Sequence, residues 1–187
     1  MPTALLIIAD GTEETEAIAT ADVLCRCGVG VTVAGVDTAM PSGRNSLPMR
    51  ADITIDMIDE GKRAFDAVVV PGGAQGAERI AASDACRDVI TRHAESGAII
   101  AGICAGPALV LAPLGILDGK HATCFPGFED RFGDEITFSS DRVVVDGRVY
   151  TSRGPGTAIE FGLAVGAAMT TPETAAEVAS AMLFTAP

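Results

Sequence analysis

Residues 97–117 read GAIIAGICAGPALVLAPLGIL, 21 residues without a charge. A run of that length either crosses a bilayer or lies buried inside a protein. Four glycines and two prolines interrupt it, and both residue types work against one continuous helix. Polar segments with clear strand and helix periodicity flank it on both sides. It therefore reads as a buried strand, a tight turn and a buried helix opened by Pro107, and no membrane association is expected. A strand that is apolar throughout needs cover on both faces, which points to a layered α/β architecture.

The rest of the chain has the same texture. ALLIIA (4–9), GVTVAGV (30–36) and DAVVVP (66–71) are short apolar strands. EETEAIATADVLCRC (13–27) reads as a helix with Ile18, Ala21 and Leu24 on one stripe, stopped by Gly28. SDACRDVITRHAES (83–96) reads as a helix capped by Ser83, with Ala82, Cys86, Val89, Ile90 and His93 on one face. Residues 37–48 are a loop rich in Pro, Gly, Ser and Asn, followed by ADITID, and residues 71–76 are a glycine-rich turn. Beyond residue 120 HATCF, EITFSS, RVVVD and RVYTS read as short strands, the last two joined at Asp146-Gly147. GPGTAIEFGLAVGAAM and PETAAEVASAMLFTA close the chain as helices. The expectation is one domain over 1–187, a mostly parallel sheet with helices on both faces. Reactive groups in such sheets gather at the carboxyl ends of strands. Three turns converge there: 10–16, 71–76 and the turn at Cys104.

That last turn, Gly102-Ile103-Cys104-Ala105-Gly106, is G-x-C-x-G, the thiol version of the nucleophile elbow. The sharp bend strains the nucleophile's backbone, so its neighbours two residues away must be small. A thiol at a helix N-terminus is expected to ionise more easily. The N–H groups of Ala105 and Gly73 are expected to hold a developing oxyanion. Glu16 has Ala19 and Val23 one and two turns on, so it is expected to point inward. A carboxyl in an apolar pocket stays protonated near neutral pH, donates to a thiolate and moves protons. Glu13 and Glu14 read as solvated carboxylates at a helix start.

Other polar residues read as structural. Cys25 and Cys27 flank Arg26 and point to different faces; Cys86 is core and His93 a helix-end residue. His121 and Cys124 cannot share a strand face, because faces repeat every two residues. No C-x-x-C or H-E-x-x-H occurs, so no metal is expected. PGGAQGAE and RGPGTAI each miss the dinucleotide pattern and no Walker-type lysine loop exists, so no cofactor is expected. A net charge of −12 argues against nucleic acid and anionic lipid as partners. Five cysteines without an even framework, behind a start that lacks a secretion signal, suggest a reducing, cytoplasmic setting.

EETEAI around Glu16, DAVVVPGGAQGAE, IAGICAGPALVLA around Cys104 and VYTSRGPGTAIEFGLA together resemble the ThiJ/PfpI superfamily, in the branch of the parkinsonism-associated redox protein. The resemblance runs over nearly the whole chain. It implies a flavodoxin-like three-layer sandwich, a homodimer, a reactive cysteine and a protonated glutamate partner. By position, Cys104 matches the family nucleophile and Glu16 its hydrogen-bonding carboxyl. Gly72 and Gly73 match the loop behind the oxyanion site, and Gly154 and Pro155 a turn that packs against the pocket. Arg26 and Arg50 match arginines near the site and the dimer contact in some members.

Two departures from the family pattern matter. Where many members carry a histidine twenty residues beyond the cysteine, this chain has Cys124, leaving proton movement to Glu16 and making Cys124 a candidate resolving thiol. Ala105 stands where the protease-like branch has a histidine, which counts against peptidase activity. The histidine-glutamate pair of the related glutamine amidotransferases is also missing. The resemblance implies a cofactor-independent glyoxalase or deglycase acting on methylglyoxal, glyoxal and early glycation adducts. The alternative is an oxidation-sensing, chaperone-like protective protein whose same cysteine becomes a sulfinate.

Overall fold

A computed structural model of the chain describes residues 1–58 and 64–185. In chain order its elements are β1 (Thr3–Ile8), α1 (Glu14–Arg26), β2 (Gly30–Gly35), β3 (Ile53–Thr54), β4 (Ala67–Val70), α2 (Ala74–Ala82), α3 (Asp84–Glu95) and β5 (Ile99–Ile103). After a five-residue π-helical turn at Pro107–Leu111 come β6 (His121–Ala122), β7 (Thr137–Phe138), β8 (Val143–Asp146), β9 (Val149–Ser152), α4 (Ala158–Met169) and α5 (Pro172–Ala181). Seven strands form one sheet in the order β3-β2-β1-β4-β5-β9-β8, parallel except for the β8–β9 hairpin. The hairpin turns at Gly147, in the left-handed region at φ 61°. β6 and β7 form a separate parallel pair.

The apolar runs occupy the centre of the sheet. Every residue of β4 and β5 is buried, and β1 is buried except at Thr3. From β1 the chain steps to β2 and β3 on one side, then returns to place β4, β5 and β9 on the other. Right-handed crossovers in opposite directions put α1 on one face and α2 with α3 on the opposite face. α4 packs on α1, and α5 on α4. The strand order reverses between β1 and β4, and a crevice opens at their carboxyl ends. The loops after β1, β4 and β5 all end there.

Several elements differ from the expectation. The glycine-rich stretch after Pro71 is not all turn: α2 begins at Ala74 and buries Gly76, Ala77 and Ile80. The helix expected after Pro107 is a single π turn. ADITID and EITFSS contribute only the two-residue strands β3 and β7. In α1 the buried face is Ala17, Thr20, Val23 and Leu24 together with Glu14 and Glu16. Ile18 is 59% exposed. Buried carboxyl and hydroxyl groups disguise the true face, so the apolar stripe through Ile18 shares only Leu24 with it. His93 is buried: its Nε2 accepts from the Phe65 N–H at 3.1 Å, and Nδ1 lies 2.7 Å from the Val89 carbonyl.

Candidate active site

β5 delivers Cys104 into a left-handed backbone conformation, φ 63°, that side-chain-bearing residues seldom adopt. Tertiary hydrogen bonds hold the strain in place. The Cys104 N–H donates to the Ser152 carbonyl at 2.9 Å, and its carbonyl accepts from the Phe125 N–H at 2.9 Å. The flanking glycines are small for a steric reason. A Cβ at Gly106 would stand 2.7 Å from the Val70 carbonyl oxygen, and one at Gly102 would stand 2.8 Å from Leu111 Cδ1. Gly72 lies behind the sulfur: a Cβ there would sit 2.5 Å from Cys104 Cβ, 2.8 Å from its Sγ and 2.8 Å from Glu16 Oε2. Three chain segments therefore meet around one α-carbon.

Glu16 is fully buried. Its Oε2 accepts the Gly72 N–H at 2.7 Å, its carboxyl is in hydrogen-bonding contact with the Cys104 thiol, and Oε1 is buried without a partner. Burial pushes the Glu16 carboxyl up to about 7, against the opposing effects of its bonds to Cys104 and Gly72. Burial also pushes the Cys104 thiol up, helped by the Glu16 charge and hydrogen bond; the N–H groups of Gly73 and Ala105 pull it down. The two groups are in contact, so a proton lost from one shifts the other, and they titrate as a pair. Oε1 decides where that proton sits. A buried carboxylate with an unpartnered oxygen costs far more than a neutral acid with an unpartnered carbonyl. A proton on Oε2 leaves Oε1 as that carbonyl, supplies an O–H donor to sulfur and removes the charge that raises the thiol. The expected helix dipole is weak, because the helix is one π turn; the local amides and the neutral acid take its place.

Cys104 is only 4% exposed, yet it opens onto a cavity of about 420 Å³ walled by Arg44, Gln75, Ala105, Phe125 and Phe128 among others. Gly73 is the N-cap residue of α2, so its N–H reaches the sulfur from the β4 side. Gly154 has extended backbone and packs on the Phe125 ring, where a Cβ would come within 3.0 Å. Pro155 opens the 3₁₀ turn after it. Neither lines the cavity. Arg26 is exposed at the far end of α1 and bonds Asp22 at 2.7 Å, and Arg50 is exposed as well; neither lines the cavity. Cys124 is buried, which with the Glu129 charge pushes its thiol up to about 12 against the opposing Arg153. It is not on the cavity wall, although its neighbour Phe125 bonds the elbow. His121 is exposed and pairs with Asp146 at 3.4 Å.

Glu13 and Glu14 are not solvated: each is only 6% exposed. Glu14 accepts from the Asn45 N–H at 2.8 Å, Asn45 Nδ2 at 3.0 Å and the Leu47 N–H at 3.3 Å. Burial alone would raise its carboxyl; its own backbone N–H together with these bonds holds it below its ordinary value. The sequence reading missed Arg44, Gln75, Phe125 and Phe128. Phe125 lies in the HATCF segment, three residues beyond the end of β6, whereas Arg44 sits in a polar loop with no periodicity to mark it.

Among the described residues no group of three or more His, Cys, Asp or Glu could hold a metal ion, and no helix is long and apolar enough to cross a membrane. The fold and the elbow define an α/β protein with a strained cysteine at the carboxyl edge of its sheet, facing a buried acid. The DJ-1/PfpI family model matches residues 2–168, and the chain belongs to that family. It is 41% identical over 165 residues to Protein DJ-1 homolog B of Arabidopsis thaliana, covering 88% of this chain and 37% of that protein. The chain thus spans about two fifths of the length of its Arabidopsis relatives. It is 33% identical over 170 residues to the Caenorhabditis elegans protein named glutathione-independent glyoxalase DJR-1.2, covering 90% and 89% of the two chains. Its fold matches the structure of oxidized Toxoplasma gondii DJ-1 with a TM-score of 0.94 and 34% identity, over the full length of both chains.

Proposed function

We propose that the chain is a cofactor-independent glyoxalase and deglycase in which Cys104 adds to small dicarbonyls. The observation that carries this reading is the Glu16–Cys104 pair, a strained thiol against a buried acid at a cavity wall. The sulfur attacks the aldehyde carbon of methylglyoxal, and the Glu16 proton passes to the aldehyde oxygen, giving a hemithioacetal. The Ala105 and Gly73 N–H groups stabilise charge on that oxygen during attack. The Glu16 carboxylate then removes the proton from the former aldehyde carbon, leaving an enediolate. Glu16 returns that proton to the adjacent carbon while the hydroxyl proton passes from the first oxygen to the second, leaving a thioester of lactate on Cys104. Water hydrolyses the thioester to lactate and restores the thiol. Glyoxal gives glycolate by the same steps, and in deglycation the sulfur displaces the amine or thiol from the carbinol carbon of an early glycation adduct: that C–N or C–S bond breaks, the leaving group takes the Glu16 proton, and the same hemithioacetal results. The name of the C. elegans relative supports this reading. A homodimer and a cytoplasmic setting belong to the same proposal.

The test is lactate formation from methylglyoxal by the purified protein without glutathione or metal. Cys104→Ala is expected to form none, and a wild-type rate in that variant would falsify the mechanism. A second reading is favoured by the Glu16 bond to the sulfur and by the oxidized T. gondii relative. Here the thiolate is oxidised by peroxide to a sulfinate that Glu16 hydrogen-bonds. Intact mass after mild peroxide reads it: two added oxygens at Cys104 support sensing, loss of two hydrogens points to a disulfide, and an unchanged mass removes the idea.

A further inference from the structure

A second cavity, of about 330 Å³, lies where β5 and β9 begin, at the end of the sheet away from Cys104. That volume is at the small end of ligand-sized pockets. Its lining is largely apolar: Ala98, Ile100 and Val149 are buried, and Ile116 is partly so. Gly97 ends α3 in the left-handed region at φ 81°, and a Cβ there would meet nothing within 4 Å, so the space beside it is open. Lys120 and Arg148 complete the lining, and among the described residues no acid does. Both cations are carried by pinned backbone. The Ile100 N–H donates to the Arg148 carbonyl at 2.9 Å, and the Thr137 N–H donates to the Lys120 carbonyl at 2.9 Å.

The positive charge here is not balanced locally. Among the described residues neither Lys120 nor Arg148 is in an ion pair. Asp146 feels the Lys120 charge but is engaged by His121, whose N–H donates to it at 2.9 Å. In two other cavities the cations share the lining with acids: Arg92 with Asp56 and Asp88, and Arg79 with Asp37. The carboxyl end of α3 presents roughly half a negative charge nearby. One cation would leave little net attraction for an anion, whereas two leave a surplus. The guanidinium fork suits a carboxylate, and the ammonium adds a point charge. Apolar side chains beside that pair suit an uncharged tail.

The geometry points to a binding site for a medium-chain alkyl carboxylate, its head on Lys120 and Arg148 and its chain over Ile100, Ile116 and Val149. About 13 Å of β5 separates Ile100 from Cys104, and the inference does not rest on the chemistry proposed there. The test is a titration of the whole chain with octanoate at monomeric concentrations, followed by backbone amide NMR. Saturable shifts are expected at Gly97, Ala98 and Val149. Lys120→Gln and Arg148→Gln are each expected to weaken binding about fivefold, the effect of one partly screened unit charge, while Arg148→Lys keeps most of it. Shortening the ligand toward butanoate costs about threefold per methylene, and rising salt weakens octanoate. Octan-1-ol is expected to bind about tenfold more weakly, and inorganic phosphate not to saturate where octanoate does. Shifts confined to Ala105 and Phe125 would place octanoate in the Cys104 cavity and overturn the proposal. So would phosphate or octanol binding as tightly as octanoate, or wild-type affinity in the Lys120→Gln, Arg148→Gln double variant.

Discussion

Glu14 and Glu16 stand two residues apart in the first turn of α1, both buried, and they are shifted in opposite directions. Glu14 faces the loop 41–47, and against burial its own backbone N–H and the donors of Asn45 and Leu47 hold its carboxyl below the ordinary value. Glu16 faces the elbow, meets one N–H and a thiol, and is pushed toward its neutral form. The same residue type at one helix end thus serves two regions. One is a polar loop whose order depends on a charged clamp; the other is a packed turn whose order depends on sterics. Both bring one side chain, Arg44 or Cys104, to the same cavity.

The elbow is expected to break hardest. Gly106→Ala drives a Cβ to 2.7 Å from the Val70 carbonyl oxygen, a main-chain atom in a central strand that cannot retreat. A loss of about 3 kcal/mol in urea unfolding is expected, the upper end of what overpacking costs. A loss below about 0.5 kcal/mol would mean that β4 yields, and the steric account of the elbow would fail.

The two carboxyls separate next, by pH. Glu16 is raised from 4.5 to about 7, so it favours folding fully below pH 4.5, and that contribution is lost as pH rises through 7. Wild type is expected to lose about 3 kcal/mol across that window relative to Glu16→Gln, whose amide does not titrate. Glu14 is lowered, so its contribution is present above the ordinary carboxylate value and lost as pH falls through the lowered one. Glu14→Gln is expected to lose about 2 kcal/mol at pH 7 by replacing hydrogen bonds to a charged acceptor, and to flatten the acid side of the stability curve. Parallel pH profiles for the two variants would erase the contrast.

The elbow was legible in the sequence and the loop was not, for the same physical reason. G-x-C-x-G states a constraint within five residues: a bend so tight that its flanks must lack side chains. The strands β1, β4 and β5 were legible because burial on both faces leaves only apolar residues. Glu16 showed itself through Ala19 and Val23 on its own helix face. Arg44 is placed by its bond to Thr12 and by bonds of its loop neighbours Ser42 and Asn45 to Gly11 and Glu14, some thirty residues earlier, and no local spacing encodes them. Glu13 and Glu14 looked solvated because their partners lie in that same loop. The family pattern pointed to Arg26 and Arg50, whereas the cation on this cavity wall is Arg44, carried by the loop 41–47.

The smallest expected effect sharpens the contrast most. Gly43→Ala also drives a Cβ into neighbouring atoms, but the three nearest belong to the side chain of Glu14, its Oε1, Cδ and Cγ, and none is backbone. A flexible side chain can swing aside where a strand carbonyl cannot. The cost is therefore a weakened clamp, about 1 kcal/mol from partial loss of the bonds to Asn45 and Leu47. A Gly43→Ala variant as unstable as Gly106→Ala would show that the loop is walled in like the elbow, and the distinction between a clamp and a packed turn would be wrong.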